Sequence, residues 1–213
     1  MQRGDKNQSD KTMSSPQTTS APDSTTPEII TIVDEQNNVL GGKDRAKITP
    51  DDIYRVAVLF IVDKLPPHTT KVLLAQRALT KKQNPGMWGP SVAGTVPYNE
   101  DYTQTIIRET AEELGLNLTP NDLTWAGTVK IRVNALVNSP NSPKSTQTYQ
   151  YFAGIYLAQM PNIDPTTIKF DPNEVAGVKW FGTKQLASLL QNNVQSKRFL
   201  PSLFKLLKAA KII

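Results

Sequence analysis

The feature that most constrains the fold is a cluster of acidic residues with helical spacing near the middle of the chain. Glu109, Glu112 and Glu113 stand at positions i, i+3 and i+4, so a helix places their side chains on one stripe of its surface. The apolar residues of the same segment fall on the opposite face, where they can pack against a sheet. The spacing therefore predicts a helix over residues 100–114 that stops at Gly115, a residue type favoured at helix ends.

This acidic stripe predicts a metal site. Three carboxylates on one helix face repel one another, and a divalent cation between them removes that repulsion. Magnesium takes carboxylate oxygens and shares its remaining positions with water and substrate phosphates. Arg108 and Glu100 supply a guanidinium and a carboxylate that can hold such ligands in a fixed orientation. Gly94 ends the preceding strand, where the missing side chain would let a backbone carbonyl reach the metal.

The segment that begins at Gly94, GTVPYNEDYTQTIIRETAEELGL, resembles the Nudix box, G-x5-E-x7-R-E-U-x-E-E-x-G-U, where U is an aliphatic residue. Thr110 at the first U position is a mild departure. Agreement by chance at all the other fixed positions is on the order of one in a million for residues of average usage. The resemblance implies an α/β fold, the Nudix α/β/α sandwich with a mixed β-sheet. It also implies hydrolysis of a phosphoanhydride bond in a nucleoside diphosphate-linked or related diphosphate substrate.

The resemblance also implies roles for individual residues. The metal ligands, for Mg²⁺ or Mn²⁺, are Gly94, Glu109, Glu112 and Glu113, and the orienting pair is Arg108 and Glu100. The cation lowers the pKa of water and neutralises the charge that develops on phosphate as water attacks phosphorus. Two candidates for the general base remain open: Glu112 within the box, and Glu174 ahead of the last predicted strand.

Composition excludes several other chemistries. The chain has no cysteine, which excludes disulfides, zinc–thiolate sites and cysteine nucleophiles. Its one histidine, His68, lies in a Pro-Pro-His-Thr-Thr segment typical of a turn, so Ser-His-Asp chemistry and histidine-rich metal sites are not expected. A metal in this protein is therefore a hard cation bound by oxygen.

A wider resemblance covers about residues 28–190 and indicates the isopentenyl diphosphate isomerase-like branch of the Nudix superfamily. It rests on the segments VDEQNNVLG, LLAQRA and NPGMWGPS. True isomerases of that branch have a catalytic cysteine just after the tryptophan and a histidine-containing metal site. Ser91 and its neighbours stand at that place here, so we expect a hydrolase. A catalytically idle Nudix domain that binds a nucleotide as a regulatory module is the remaining alternative, and the intact glutamate set favours the enzyme.

The remaining pattern predicts the domain organisation. Residues 1–27 are rich in Ser, Thr and Pro, and we expect a disordered tail because they offer almost nothing to bury. Residues 28–213 form the Nudix domain, in which Thr183 caps a helix and a basic C-terminal helix covers about residues 197–211. The predicted strands cover residues 28–33, 39–40, 55–62, 71–76, 88–94, 125–137, 148–157 and 175–181.

Charge and hydropathy indicate the partners. The candidates for binding substrate phosphates are cations near strand ends: Arg55, Arg77, Lys81, Lys130 and Arg132. The net charge of +5 is modest, so we expect a small-molecule diphosphate substrate and no specific nucleic acid. No segment approaches the ~18 apolar residues needed to cross a bilayer, so we expect no membrane partner and a cytoplasmic protein. An apolar hairpin over residues 29–40 would allow a homodimer.

Overall fold

A computed structural model describes Met1, residues 27–139 and residues 142–213, so the predicted tail lies almost wholly outside the described residues. The strands in this part of the chain are β1 (Ile29–Val33), β2 (Val39–Asp44), β3 (Ile53–Val62), β4 (Lys71–Arg77), β5 (Trp88–Gly89), β6 (Val92–Thr95), β7 (Thr124–Ser139), β8 (Ser142–Gln159) and β9 (Val175–Gly182). The helices are α1 (Tyr102–Leu114), α2 (Thr183–Gln191) and α3 (Leu203–Ala209).

The strand β3 organises a mixed sheet. Along one edge it pairs in parallel with β8 over its whole length, and β8 in turn pairs with β7. Along the other edge it pairs antiparallel with β1, then β6, then β4. Since three strands share that edge, β1 and β4 leave β3 at opposite ends, and β6 lies between them. Parallel and antiparallel pairs in one sheet confirm the expected mixed topology.

Helices cover both faces of this sheet. Side chains of β3 alternate: Phe60 packs in a buried cluster with Leu186 of α2 and Leu203 of α3. Leu59 packs in a second cluster with Ile106 of α1. Each fully buried side chain of this kind contributes about 1.5–3 kcal/mol relative to exposure. The arrangement is the predicted α/β/α sandwich, and it explains why β3 is apolar throughout.

The predicted acidic helix is confirmed as α1. The Asp101 side chain accepts a hydrogen bond from the Gln104 backbone N–H at 2.8 Å, and Gln104 returns one to the Asp101 backbone, so the helix has a capping box. Gly115 ends the helix in the left-handed conformation, with φ of 64°. Its N–H donates to the Ala111 carbonyl at 3.1 Å, which fixes the last turn.

The basic C-terminal helix predicted over residues 197–211 is wrong in extent, because α3 has only 7 residues. Phe199 is extended and forms a bridge with Trp88, and the Leu200 N–H donates to the Trp88 carbonyl at 2.8 Å. Pro201 follows, and a proline disfavours helical backbone at the residue before it. Because residues 199 and 200 pair with β5, the helix begins only at Leu203.

Other predicted boundaries also differ. Thr183 is the first residue of α2, and Gly182 is its cap without a side-chain hydrogen bond. The strand β7 extends to Ser139 and β8 begins at Ser142, so both are longer than the predicted strands over residues 125–137 and 148–157. The strand β2 lies at the edge of the sheet and exposes Val39. The homodimer expected from this hairpin stays a prediction. Within the described part of the chain, no helix has the length and apolar character required to cross a bilayer.

Candidate active site

A cavity of about 500 Å³ lies where α1 meets β6, the loop after β4 and the β3–β8 surface. Its walls differ in chemistry. The acidic residues are Glu109, Glu112, Glu113, Asp171 and Glu174, and the cations are Arg45, Arg77 and Lys81. The aromatic and amide residues are Tyr54, Tyr149, Tyr151, Gln83 and Asn84. Carboxylates and cations thus face a single space large enough for a small phosphorylated molecule.

Gly94 brings α1 close to the sheet. It lies in β6, opposite Ala57 of β3, and the Glu109 side chain lies directly against it. A Cβ atom at this position would lie 2.4 Å from Cγ of Glu109 and 2.6 Å from its Oε1. The glycine predicted from the motif therefore has a visible steric reason, since any side chain there would displace the Glu109 carboxylate.

Arg108 joins three carboxylates. Its Nε donates to Glu100 Oε1 at 3.0 Å, and its Nη2 donates to Glu100 Oε2 at 3.2 Å. Its Nη1 donates to Glu112 Oε2 at 2.9 Å and lies 3.0 Å from Glu109 Oε1. Burial would raise the pKa of Glu100, but hydrogen bonds from Arg108 and Thr105 outweigh burial and lower it. The guanidinium therefore fixes Glu100 in two places and links it to the acidic stripe.

Glu113 carries a strongly perturbed carboxyl group. Burial, followed by repulsion from Glu109 and Glu174, raises its pKa to about 8, and the nearby cations only partly oppose this. Burial also raises the pKa of Glu109. Burial therefore disfavours the charged form of both carboxyl groups, and a divalent cation beside them would favour it.

The donor set fits a hard divalent cation. Glu109, Glu112 and Glu113 offer carboxylate oxygens, and Gly94 leaves room beside them that a Cβ would fill. Among the described residues, no three acidic or histidine side chains already converge as a closed ligand cage. The carboxylates instead line one wall of the cavity, an arrangement that would leave positions on a bound cation for water and phosphate.

Two of the five predicted phosphate-binding cations, Arg77 and Lys81, line the cavity. Arg77 is largely buried, which lowers its pKa, and its Nε donates to the Gln83 carbonyl at 3.0 Å. The Lys81 Nζ lies 2.5 Å from Glu174 Oε2. The Ala78 N–H donates to the Glu174 carbonyl at 2.9 Å, so the loop after β4 holds Glu174 at the cavity.

The other three predicted cations do not line this cavity. Arg55 donates to the Asn37 side chain at 3.0 Å and lies over the Tyr102 ring. Lys130 forms an ion pair with Glu35, and Arg132 is exposed. Because side chains alternate along a strand, Arg55 lies on the opposite face of β3 from the cavity residue Tyr54. Sequence position near a strand end did not determine the face.

Several cavity residues were not predicted from the sequence. Arg45 follows β2 and reaches the cavity from a hairpin distant in sequence, while its Nη1 donates to Glu28 at 2.8 Å. The Tyr54 and Tyr151 rings lie 5.7 Å apart, and Gln83 Nε2 donates to the Tyr149 hydroxyl at 2.6 Å. The alternating tyrosines of β8 were a usable signal, because residues of one strand face share an environment. No local pattern pointed to Arg45.

Ser91, at the place of the isomerase cysteine, is fully buried outside the lining of this cavity. Its Oγ accepts from the Ile61 N–H at 2.8 Å and donates to the Leu73 carbonyl at 2.6 Å. The hydroxyl therefore links β3 and β4. His68 is exposed in the turn before β4, as its sequence predicted.

Comparisons with known proteins agree with this geometry. The NUDIX domain family matches residues 53–203. An isopentenyl-diphosphate Delta-isomerase of Streptomyces avermitilis is 32% identical over 163 residues, covering 75% of this chain and 73% of that protein. An uncharacterised Nudix hydrolase of Clostridium acetobutylicum is 26% identical over 168 residues, covering 78% of this chain and 76% of that protein. The structure of DR0079 from Deinococcus radiodurans has a TM-score of 0.60 at 21% identity, covering 86% of this chain and 99% of that chain.

The chain therefore belongs to the Nudix family and is a Nudix hydrolase, of the class that cleaves phosphoanhydride bonds. The family match begins at the first residue of β3 and ends at the first residue of α3, so it includes the box and the cavity walls behind it. The predicted superfamily, its isomerase-like relatives and the sandwich fold are confirmed.

Proposed function

We propose that the protein catalyses Mg²⁺-dependent (or Mn²⁺-dependent) hydrolysis of a phosphoanhydride bond in a nucleoside diphosphate-linked substrate. The observation that carries this proposal is that acidic side chains and cationic side chains line the same cavity. Glu109, Glu112 and Glu113 line one wall, and Arg77 and Lys81 line another. A diphosphate held between them would meet a cation site on one side and positive side chains on the other.

The metal would be held by the carboxylates of Glu109, Glu112 and Glu113 and by the backbone carbonyl of Gly94, where the absence of a Cβ lets Glu109 lie against the strand. When bound, a divalent cation supplies Lewis-acid activation of water and neutralises charge on phosphate. Arg108 and Glu100 are the orienting pair, since the 3.0 Å and 3.2 Å bonds between them fix the guanidinium that contacts Glu109 and Glu112. These side chains hold the ligands so that little reorganisation accompanies the reaction.

Arg77 is the strongest candidate for direct phosphate binding. Within the described residues it forms no ion pair, and its one side-chain hydrogen bond there uses Nε. Its terminal nitrogens therefore keep their donors for a ligand in the cavity. A guanidinium can bind two phosphate oxygens at once, and partial burial strengthens such a contact. Lys81 adds a positive charge, although its ion pair with Glu174 already neutralises part of that charge.

The general base is Glu112 or Glu174. Glu112 is the more exposed of the two, and it extends into the cavity from the box helix, where it is also assigned to the metal site with Glu109 and Glu113. Glu174 precedes β9 and lies near enough to Glu113 to repel it, and its carboxylate is held by Lys81 at 2.5 Å. We favour Glu112 because its carboxylate would lie beside water activated by a bound metal, whereas Glu174 would have to leave Lys81 first.

The tyrosine wall supports a substrate with a flat polar group. Tyr54, Tyr149 and Tyr151 line the cavity, and the Gln83 amide is held there by the Tyr149 hydroxyl. Aromatic rings stack on bases, and an amide can bond a base edge. A hydrocarbon chain would gain little from these hydroxyl and amide groups, so the wall favours a nucleotide over a prenyl diphosphate.

Isomerisation of isopentenyl diphosphate is the second candidate, because relatives with about 30% identity carry that name. The chain lacks cysteine, and Ser91 is occupied in bonds between strands. Neither observation supports the proton transfers to and from carbon that a double-bond shift requires. The isomerase reaction is therefore the weaker candidate.

The test is a hydrolysis screen of the full chain with Mg²⁺, in which the phosphorylated products are separated by ion-exchange chromatography. The panel contains nucleoside triphosphates, sugar nucleotides, dinucleoside polyphosphates, coenzyme A and isopentenyl diphosphate, with Glu112→Gln as the control variant. We expect turnover of a nucleotide class that chelator abolishes and Mg²⁺ or Mn²⁺ restores. Turnover that persists in chelator would contradict the metal mechanism. Isomerisation leaves the diphosphate intact, so isopentenyl diphosphate is also followed by proton NMR, and its conversion to the isomer would establish the second candidate.

Silence across the panel would support the catalytically idle module, provided that a nucleotide still raises the melting temperature. That outcome is distinguishable from a misfolded preparation, because an unfolded chain would show neither turnover nor a ligand-dependent transition.

A further inference from the structure

The charge of this chain is distributed unevenly along the sequence. All 19 Asp and Glu residues precede Val175, whereas the segment from Val175 to Ile213 contains seven of the 24 Lys and Arg residues. The net charge of +5 therefore arises from this final segment, because the residues before it are slightly acidic overall. An asymmetry of this kind is typical of proteins that bind a polyanionic surface.

The fold gathers these cations on one outer layer. Helices α2 and α3 pack against the sheet through buried leucines such as Leu186 and Leu206, so their polar sides face solvent. We call the exposed cations of this layer the basic layer: Lys184, Lys197, Arg198, Lys205, Lys208 and Lys211. None of the six lines the active-site cavity, so the proposed phosphate chemistry does not account for them.

The positive charge of the basic layer is not neutralised within the described residues, where none of its six members forms an ion pair. Lys205 donates to the Lys130 backbone carbonyl at 2.7 Å, and Lys208 lies over the Phe204 ring at 4.8 Å. The partners in these contacts are uncharged, so they hold the ammonium groups in position without neutralising them. The layer therefore presents a positive potential to solvent, of the kind that attracts an anionic surface.

The composition of the basic layer favours a lipid surface over a nucleic acid. Five of its six members are lysines, which act as point charges, whereas nucleic-acid recognition favours arginine and exposed aromatic rings. From Val175 onward, the described residues expose one large apolar side chain, Val194, and no aromatic ring to a comparable degree. Clustered lysines beside an exposed aliphatic residue suit adsorption to anionic headgroups.

We propose that the basic layer binds the surface of a bilayer that contains anionic lipids. The apolar sides of α2 and α3 are buried in the core, so binding is electrostatic and inserts no helix. This proposal departs from the sequence-based expectation of no membrane partner, which rested on the lack of a spanning segment. Leu200 and Pro201 line the cavity and lie in sequence between Arg198 and α3, so adsorption would bring that cavity wall close to the membrane.

The test is co-sedimentation of the full chain with vesicles of phosphatidylcholine alone or with about 30% phosphatidylserine. We expect binding only to the anionic vesicles, and loss of that binding near 1 M salt, where the Debye length falls to about 3 Å. The variant Lys197→Gln/Lys208→Gln/Lys211→Gln should bind about 100-fold more weakly, since each lysine near an anionic surface contributes roughly a five-fold factor.

The matched control is Lys47→Gln/Lys64→Gln/Lys82→Gln, which removes the same charge from exposed positions outside the layer. Its affinity for anionic vesicles should lie within about two-fold of that of the unmodified protein. Both triple variants should keep the melting temperature of the unmodified protein. Equal losses in the two variants, or equal binding to neutral vesicles, would overturn the proposal. Tighter binding to a single-stranded oligonucleotide than to anionic vesicles would also overturn it, and would assign the layer to nucleic acid.

Discussion

The Glu109 carboxylate lies against the Cα of Gly94, in the space where any other residue would carry its Cβ. That Cβ would lie 2.4 Å from Cγ and 2.5 Å from Cδ of Glu109. Gly94 is in β6 and Glu109 is in α1, so this contact sets the distance between the proposed metal ligand and the sheet.

Substituting Gly94 should therefore impair catalysis more than folding. In Gly94→Ala the Glu109 side chain must rotate away, and a misplacement of about 1 Å at a catalytic group costs on the order of 100-fold in turnover. Turnover and melting temperature would be measured together. Gly177→Ala is the control, because its Cβ would meet nothing within 4 Å. Full turnover in Gly94→Ala would show that the position of Glu109 does not matter for catalysis.

Arg108→Lys should lower turnover by about 10–100-fold with the fold retained. The guanidinium contacts Glu100 through Nε and Nη2 and both Glu109 and Glu112 through Nη1, and a lysine ammonium cannot reproduce that geometry. Steady-state kinetics would measure the effect. Arg132→Lys, at an exposed position outside the cavity lining, should leave turnover unchanged. An equal loss in both variants would indicate a general effect of removing guanidinium groups.

The two candidate bases can be separated by amide substitutions. Glu112→Gln should lower turnover by about 10²–10⁴-fold, the range expected for general base catalysis, without changing the melting temperature. Glu174→Gln releases Lys81 but should retain most of the activity. Single-turnover rates at saturating Mg²⁺ would distinguish loss of the base from weaker metal binding. The reverse order of effects would assign the base to Glu174.

Removing Arg77 should raise KM more than it lowers kcat. Arg77→Gln removes the partly buried guanidinium that we assign to phosphate, and a loss of about 1.5–3 kcal/mol corresponds to roughly 10–150-fold in affinity. Arg55→Gln is the matched control, since Arg55 binds Asn37 and lies outside the cavity lining. Equal KM values for Arg77→Gln and the unmodified protein would remove Arg77 from the phosphate site.

Asp63 should make part of the stability depend on acid pH. Burial alone would raise its pKa, but hydrogen bonds from the Thr70 hydroxyl and neighbouring backbone amides outweigh burial and lower it to about 2. Its ordinary value is 3.8, so this stabilisation is complete above about pH 4 and is lost as the pH falls towards 2. Asp63→Asn should cost about 1–3 kcal/mol at pH 7 and progressively less below pH 4.

Denaturant unfolding at pH 7 and pH 2.5 would measure that difference. Asp51→Asn, in an exposed turn, is the control and should shift neither value. A deficit in Asp63→Asn of the same size at both pH values would show that the carboxyl contributes through packing alone.

The sequence alone determined the features that depend on neighbours in the chain. The i, i+3 and i+4 spacing of Glu109, Glu112 and Glu113 defines one helical face, and Gly115 ends that helix, whatever packs around it. The apolar run in β3 likewise required burial on both faces, and the structure supplies a helix layer on each side. The motif and these elements were sufficient to predict the α/β/α sandwich.

The tertiary structure decided which distant residues share the cavity. Arg45 and Tyr149 join the box only because the β1–β2 hairpin and β8 both flank β3, and no local pattern encodes that pairing. Arg55 faces away because adjacent residues of a strand point to opposite sides. Pairing of Phe199 with Trp88 likewise shortened the last helix. Helical periodicity depends on the spacing of residues close together in the sequence, whereas strand register and pairing depend on contacts between segments far apart in the chain.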